Sequence, residues 1–159
     1  LLNHCEVISN HTFIQQVLEQ IPEEVVLVSP DGGALKKVYS LSQSLGGLEG
    51  IECSKKRNTQ TGQLSDFHIH TDSLKGENCL IVDDICDGGR TFVGLAKALK
   101  AKGANRLYLV VSHGIFSRGL EELTQHFEHI FTTDAIQNLE EKEGLTQKSL
   151  SGLMDGNAD

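Results

Sequence analysis

The residues best suited to chemistry in this chain stand together at 80–92, LIVDDICDGGRTF. An apolar run ends in Asp83 and Asp84, a third acid follows at Asp87, and Gly88 to Thr91 lead into a helical pattern. Mg²⁺ binds proteins through one or two carboxylates and completes its shell with water and phosphate oxygens. Two glycines let backbone N–H groups surround a phosphate at the start of a helix. The segment therefore predicts a site for a phosphorylated sugar beside a divalent cation, and the alternative is a solvated turn that only begins a helix.

A second glycine-containing turn, SPDGG at 29–33, follows an apolar run and precedes a helical pattern with two lysines. By composition it is an ordinary turn between a strand and a helix. Asp31, Gly32 and Gly33 could also cradle a second phosphate group. The sequence leaves both interpretations open.

The densest basic cluster of this acidic chain is Lys55, Lys56 and Arg57, within a polar and irregular segment at 54–66. Such clusters usually lie on solvated loops. The functional interpretation is a mobile loop that closes and places cations on a transferring phosphoryl group.

His113, and the pair His68 and His70, are further candidate site residues. His113 follows an apolar strand pattern and is either a structural or a functional residue. His68 and His70 share one face of a strand pattern, but no third ligand accompanies them, so a metal site there is not expected.

The elements that must position these residues alternate along the chain. Apolar runs predict strands at 25–28, 51–53, 67–70, 79–84, 107–111 and 130–131, and helical spacing predicts helices at 13–21, 35–45, 92–99 and 120–127. This alternation predicts a doubly wound, mostly parallel α/β sheet, in which ligands bind at the carboxyl ends of strands. The turns at 29–33, 83–91 and 112–117 should therefore meet at one edge.

Composition limits the possible partners and organisation. The 159 residues, 38% of them hydrophobic, suit one globular domain, expected at 1–137, with 138–159 as a frayed polar tail or surface helix. A net charge of -8 argues against a nucleic-acid partner, and no apolar stretch reaches the length of a membrane span. Four scattered cysteines favour reduced thiols and a cytoplasmic location over a zinc or disulfide framework. The first residue, Leu1, is consistent with a piece of a longer protein.

Three segments carry a resemblance to a known family. LIVDDICDGGRTF resembles the 5-phosphoribosyl-1-diphosphate (PRPP) binding motif of type I phosphoribosyltransferase-fold proteins. VVLVSPDGGALKK at 25–37 is similar to the diphosphate loop of ribose-phosphate diphosphokinases, the PRPP synthetases, and VVSHGIFSRG at 110–119 resembles a further strand of that family. Taken together, the segments resemble the second of two tandem domains, over about residues 5–137.

The resemblance implies an enzyme that transfers the diphosphate of ATP to the 1-hydroxyl of ribose 5-phosphate, giving PRPP and AMP for nucleotide and NAD biosynthesis. It implies Mg²⁺ as cofactor, ATP and ribose 5-phosphate as partners, and a homo-oligomer. The implied roles are ribose and Mg²⁺ binding by Asp83 and Asp84, binding of ribose 5-phosphate by Asp87, Gly88, Gly89, Arg90 and Thr91, contact with the diphosphate by Asp31, Gly32 and Gly33, and catalysis by Lys55 and Arg57, with Asp87 assisting proton loss.

The chain departs from the family pattern at Gly88, where Thr is usual, and at Arg90, where a small residue is usual. The turn at 29–34 is shorter than usual, and the first domain of the family is absent from this sequence. Two alternatives therefore stay open. One is a stand-alone phosphoribosyltransferase that consumes PRPP, and the other is a non-catalytic regulatory homologue.

Overall fold

The computed structural model describes residues 9–32, 35–57 and 64–155 and shows one seven-stranded sheet. The strands are β1 Val25–Ser29, β2 Gly50–Arg57, β3 Leu64–Ile69, β4 Asn78–Cys86, β5 Leu107–Gly114, β6 His129–Thr133 and β7 Leu145–Lys148. The helices are α1 Asn10–Leu18, α2 Leu35–Ser44, α3 Arg90–Ala101, α4 Glu121–Thr124 and α5 Leu150–Asp155. The strand order is β3-β2-β1-β4-β5-β6-β7, and every pairing is parallel except that of β2 with β3. The predicted doubly wound, mostly parallel fold is confirmed.

Two apolar layers hold the sheet between helices. One layer packs α1 and α2 against residues such as Leu27 and Leu80, and the other packs α3 against residues such as Ile81. The central strands are buried on both faces, which explains why their sequences are continuous apolar runs rather than alternating ones. Each fully buried aliphatic side chain contributes about 1.5–3 kcal/mol to folding relative to an exposed one. The two layers therefore hold the sheet as a stable support for the turns at its ends.

The chain reverses its direction of winding between β1 and β4. From β1 it crosses through α2 to β2 on one side, and from β4 it crosses through α3 to β5 on the other. The turns that follow the carboxyl ends of β1 and β4 therefore lead to opposite faces of the sheet, and a crevice opens between them. Open α/β sheets bind their ligands at this position.

Three predictions about individual elements are wrong. The segment at 54–66 is not irregular throughout, because β2 extends to Arg57 and β3 begins at Leu64. The helix expected at 120–127 is only the short α4, Glu121–Thr124. The sheet and helices continue past residue 137, since β7 pairs in parallel with β6 and is followed by α5.

The polar sequence of β7 hides its role because its stability comes from partners elsewhere in the chain. The Gln147 amide donates to the carbonyls of Thr133 and Gln137, at 3.2 and 2.7 Å, and its Oε1 accepts from the backbone of Leu139 at 3.0 Å. These long-range bonds take the place of an apolar face. Within the described residues, no helix has the length and apolar character needed to cross a membrane.

Candidate functional site

Asp83 and Asp84 lie in β4, which continues beyond them to Cys86. Both residues are partly buried, and the Asp84 backbone N–H donates to Asp83 Oδ1 at 2.8 Å. The Asn10 side chain, at the start of α1, donates to Asp84 Oδ1 at 3.3 Å. The two acids are thus held in place by the end of the strand and by the first helix.

Burial raises the pKa of the Asp83 carboxyl, and the nearby charges of Asp31 and Asp84 raise it further. The hydrogen bond from the Asp84 backbone and the charge of Lys55 act in the opposite direction. The charges of Asp31 and Asp84 thus act against the ionised form of Asp83, and a cation beside Asp83 would offset that repulsion.

The donor set of this site fits Mg²⁺. Asp83 and Asp84 supply the one or two carboxylates that Mg²⁺ takes from a protein. Across the described ranges 9–32, 35–57 and 64–155, no group of three His, Cys, Asp or Glu side chains is placed to hold a metal ion. The two aspartates therefore suit a cation whose remaining ligands are water and a substrate phosphate, rather than one enclosed by protein.

The turn after β1 reaches the same crevice. Lys55 Nζ lies 3.9 Å from Asp31 Oδ2, which links the second strand to this turn. The Ser29 hydroxyl donates to the Asp31 carbonyl at 2.6 Å and shapes the turn. Gly32 is exposed, and a Cβ placed on it would stand 3.5 Å from Glu52 Oε1. Gly33 lies outside the described residues.

Lys55 is not on a loop, contrary to prediction, but within β2. Arg57 ends the same strand, and its side chain is outside what the structure describes. Lys55 pairs with Phe67 of β3, and its ammonium group lies beside Asp31.

The turn at 87–89 leads into α3, and no side chain hydrogen-bonds to its N-terminal N–H groups as a cap. Gly89 is the N-cap with φ of 76°, a left-handed conformation that favours glycine, and no side chain caps the helix. The first turn contains no acidic residue, and Arg90 stands at the first helical position. A cation is unfavourable at the positive end of a helix dipole by about 0.3–1 kcal/mol. This local cost is offset where an anion binds, so the turn suits a phosphate with Thr91 beside it.

The end of β5 completes this edge of the sheet. The Ser112 hydroxyl donates to the Asp84 carbonyl at 3.0 Å, and His113 Nδ1 lies 2.9 Å from that hydroxyl and 3.2 Å from the carbonyl. The backbone N–H of Ile115 donates to the Cys86 carbonyl at 2.9 Å. The prediction that the three turns meet at one edge is confirmed. His113 thus contacts the backbone of Asp84 through Nδ1, which agrees with the structural interpretation of this residue.

A cavity of about 420 Å³ adjoins the two aspartates between α1 and α2. Its lining includes Ile14, Val38 and Val82, together with Asp83 and Asp84. The sequence pattern did not single out Asn10, which contacts Asp84, because an amide at the start of a helix is usually a cap.

Sequence reasoning also missed Arg118, whose side chain lies against Gly88. Its signal was available, since it is a cation within the segment 110–119 of an acidic chain. Only the folded chain shows that this segment covers the glycine turn.

Comparison with known proteins agrees with this geometry. A family model described as "Phosphoribosyl transferase domain" matches residues 3–142. Ribose-phosphate pyrophosphokinase of Thermosipho africanus is 29% identical over 136 residues, which are 84% of this chain and 42% of that protein. The enzyme of the same name from Thermococcus kodakarensis is 34% identical over 119 residues, 74% of this chain and 41% of that protein. The predicted resemblance is confirmed, and the chain spans about two fifths of the length of these curated relatives.

Solved structures show the same fold. Phosphoribosylpyrophosphate synthetase from Mycobacterium smegmatis superposes with a TM-score of 0.76 at 24% identity, covering 92% of this chain and 48% of that one. An adenine phosphoribosyltransferase from Giardia lamblia superposes with a TM-score of 0.58 at 14% identity, covering 77% of this chain and 75% of that one. At these identities the likeness establishes the architecture.

Proposed function

We propose that this chain, which belongs to the phosphoribosyl transferase domain family, is the sugar-phosphate-binding part of a ribose-phosphate pyrophosphokinase. The reaction would transfer the diphosphate of ATP to the 1-hydroxyl of ribose 5-phosphate and yield PRPP and AMP. The names of the relatives support the activity at the level of the family. Because the chain covers about two fifths of those relatives, a further part of the site, including part of the ATP site, would come from another domain.

One observation carries the proposal, namely the meeting of an acidic pair, a cation and an uncapped helix start at the crevice between β1 and β4. Asp83 is close enough to Asp31 and Lys55 for their charges to act on its pKa. Gly89, the N-cap of α3, lies three residues after the end of β4. A sugar with hydroxyls at one end and a phosphate at the other would span these two groups.

Each side chain would have a separate task in this reaction. Asp83 and Asp84 would accept hydrogen bonds from the ribose hydroxyls and hold Mg²⁺, while the backbone of 87–91 and Thr91 would bind the 5-phosphate. Mg²⁺, when bound, supplies positive charge to the diphosphate oxygens. Asp87 is the candidate acceptor for the proton of the 1-hydroxyl.

Lys55 and Arg57 would stabilise the charge that develops on the transferred group. As the 1-hydroxyl oxygen bonds to the β-phosphorus of ATP, the bond from that phosphorus to the α,β-bridging oxygen breaks, and AMP leaves with the electron pair. Positioned cations and in-line geometry supply most of the rate enhancement in such transfers. The same proposal includes Asp31 and Gly32 as contacts of the diphosphate, a homo-oligomeric assembly, a cytoplasmic location, and PRPP supplied to nucleotide and NAD synthesis.

The decisive experiment incubates the protein with ATP, ribose 5-phosphate and Mg²⁺ and measures AMP by chromatography. The chain is tested alone and within any longer protein that contains it, and Asp83→Asn serves as the inactive control. AMP formed in step with PRPP supports the proposal. Consumption of added PRPP with a nucleobase, without AMP release from ATP, would assign a stand-alone phosphoribosyltransferase. Ligand binding with neither reaction would assign a regulatory homologue.

A further inference from the structure

The side chain of Arg118 packs against Gly88 beside the start of α3. A Cβ placed on Gly88 would stand 3.1 Å from Arg118 Cδ and 3.6 Å from its Cγ. The backbone of Gly88 is not in the left-handed region, unlike that of Gly89, so its conformation does not demand glycine. The space above Gly88 is instead occupied by the methylene groups of the arginine.

The segment that carries Arg118 is fixed over the turn by backbone hydrogen bonds. The Ser117 N–H donates to the Asp87 carbonyl at 3.1 Å, and the Phe116 N–H donates to the Cys86 carbonyl at 3.2 Å. Phe116 is buried, and its φ of 46° is unfavourable for a residue other than glycine. These contacts hold the segment that carries Arg118 against the turn, so that Arg118 lies beside Gly88.

The guanidinium group of Arg118 has no acidic partner within the described part of the chain, where the ion pairs involve other cations. Glu121, the acid nearest to it in sequence, instead has Lys142 Nζ at 3.5 Å. Arg90, on the other side of the turn, likewise has no ion pair among the described residues. Two arginines without acidic partners thus flank a helix start that has neither a capping side chain nor an acidic first turn.

We propose that Arg118 is a specificity residue that binds the terminal phosphate of a sugar phosphate at the 88–91 turn. This inference rests on the proposed function, and it adds a ligand that lies outside the turn itself. Gly88 has no side chain to donate a hydrogen bond, and the space it leaves lets Arg118 approach. A guanidinium group presents two parallel N–H donors to phosphate oxygens, so it binds a dianionic phosphate more strongly than a single hydroxyl does.

The first test is calorimetric titration of the wild type, Arg118→Ala and Arg118→Lys with ribose 5-phosphate and with ribose. Lys97→Ala removes one positive charge from the exposed side of α3 and serves as the charge-matched control. Arg118→Ala should weaken ribose 5-phosphate binding about tenfold, Arg118→Lys should restore part of it, and ribose binding should stay unchanged. Unchanged ribose 5-phosphate affinity, or an equal loss for ribose, would overturn the assignment.

A double-mutant cycle tests whether the glycine serves the arginine. Gly88→Ala should weaken phosphate binding in the wild-type background, because its Cβ would stand 3.1 Å from Arg118 Cδ and the arginine side chain would have to shift to admit it. It should have little effect once Arg118 is alanine, so the two losses should not add. Additive losses would show that residue 88 acts on the ligand directly and would contradict the pairing.

Inorganic phosphate separates a failure of this inference from a failure of the proposed function. A wild-type protein that binds phosphate through Arg118 but shows no preference for ribose 5-phosphate would contradict the proposed substrate and keep the arginine site. A protein that binds ribose 5-phosphate equally well with and without Arg118 would contradict the arginine site alone. Phosphorus-31 NMR titration reports binding of both ligands.

Discussion

The substitution Lys55→Ala separates a structural lysine from one that acts on the transition state. In the structure, Lys55 Nζ is 3.9 Å from Asp31 Oδ2, and the two side chains are 31% and 48% exposed. An ion pair at that distance and exposure contributes at most about 1 kcal/mol to folding. If this pair were the only role of Lys55, its loss would lower the free energy of unfolding by at most that amount and leave the turnover number nearly unchanged.

A cation placed on charge that develops only in the transition state has a larger effect. Removing one such preorganised group lowers kcat by about 10²–10³, or roughly 2.7–4 kcal/mol. Lys55 lies in a strand and already faces the acidic crevice, so we expect Lys55→Ala to fall in this range. The dissociation constant of ribose 5-phosphate should change by less than about threefold, because its proposed contacts are on β4 and α3.

The assay measures steady-state AMP release at saturating ATP and ribose 5-phosphate, with calorimetric binding of ribose 5-phosphate in parallel. Lys97→Ala is the matched control because it removes an exposed lysine from α3. Far-UV circular dichroism and a thermal melt verify that both variants fold. Equal losses in kcat and in affinity, or a loss in kcat below about fivefold, would refute the transition-state role.

Three further predictions concern the cation, the phosphate and the opposite edge of the sheet. Because burial raises the pKa of Asp83 above its ordinary 3.8, its ionisation lowers the stability of the metal-free protein as the pH rises through that range. Mg²⁺ binds the ionised form, so its stabilisation in a thermal melt should fall as the pH is lowered and the Asp83 carboxyl is protonated, and it should vanish in Asp83→Asn. Thr91→Ala should weaken ribose 5-phosphate binding several-fold by calorimetry, because one hydroxyl donor to the phosphate is lost. Tyr108 donates to Glu23 Oε2 at 2.6 Å, and burial raises the pKa of Tyr108 to about 12. The stabilisation that this hydrogen bond gives the folded protein is therefore complete below pH 10 and is lost as the pH rises towards 12. Tyr108→Phe should lower the free energy of unfolding in urea by about 1–2 kcal/mol at pH 7 and should abolish this loss of stability at alkaline pH.

Each of these predictions has an outcome that contradicts it. Stabilisation by Mg²⁺ that is independent of pH, or that persists in Asp83→Asn, would place the cation elsewhere. Unchanged ribose 5-phosphate affinity in Thr91→Ala would remove this hydroxyl from the phosphate site. Equal alkaline losses in wild type and Tyr108→Phe would show that other groups control stability above pH 10.

The candidate site at the carboxyl ends of the strands could be predicted because its signals are local. The apolar run before Asp83 indicates a buried strand, and Gly88 and Gly89 indicate a turn into a helix. The rule that ligands bind at the carboxyl ends of parallel strands then brings the turns together without knowledge of the strand order. The same local reasoning failed for β7, whose half-buried polar residues have neither an apolar face nor alternation.

The placement of Lys55 was wrong for a related reason. Its neighbours are polar, so the sequence indicated a loop, but β2 pairs with β3 through the antiparallel partners Lys55 and Phe67. The hydrogen bonds of that pairing come from residues distant along the chain. No window of a few residues around Lys55 contains this information.

The sequence by itself determined which residues could do chemistry and that they follow buried strands, because side-chain type and hydrophobic periodicity are properties of neighbouring positions. Tertiary structure alone decided which of them meet. It paired β1 with β4, so that the charges of Asp31 and Lys55 act on Asp83. It also laid Arg118 over Gly88, 30 positions earlier in the chain. The physical reason is that strand order, register and the packing of one turn on another are set by contacts distant in sequence, whereas periodicity records only which face of each element is buried.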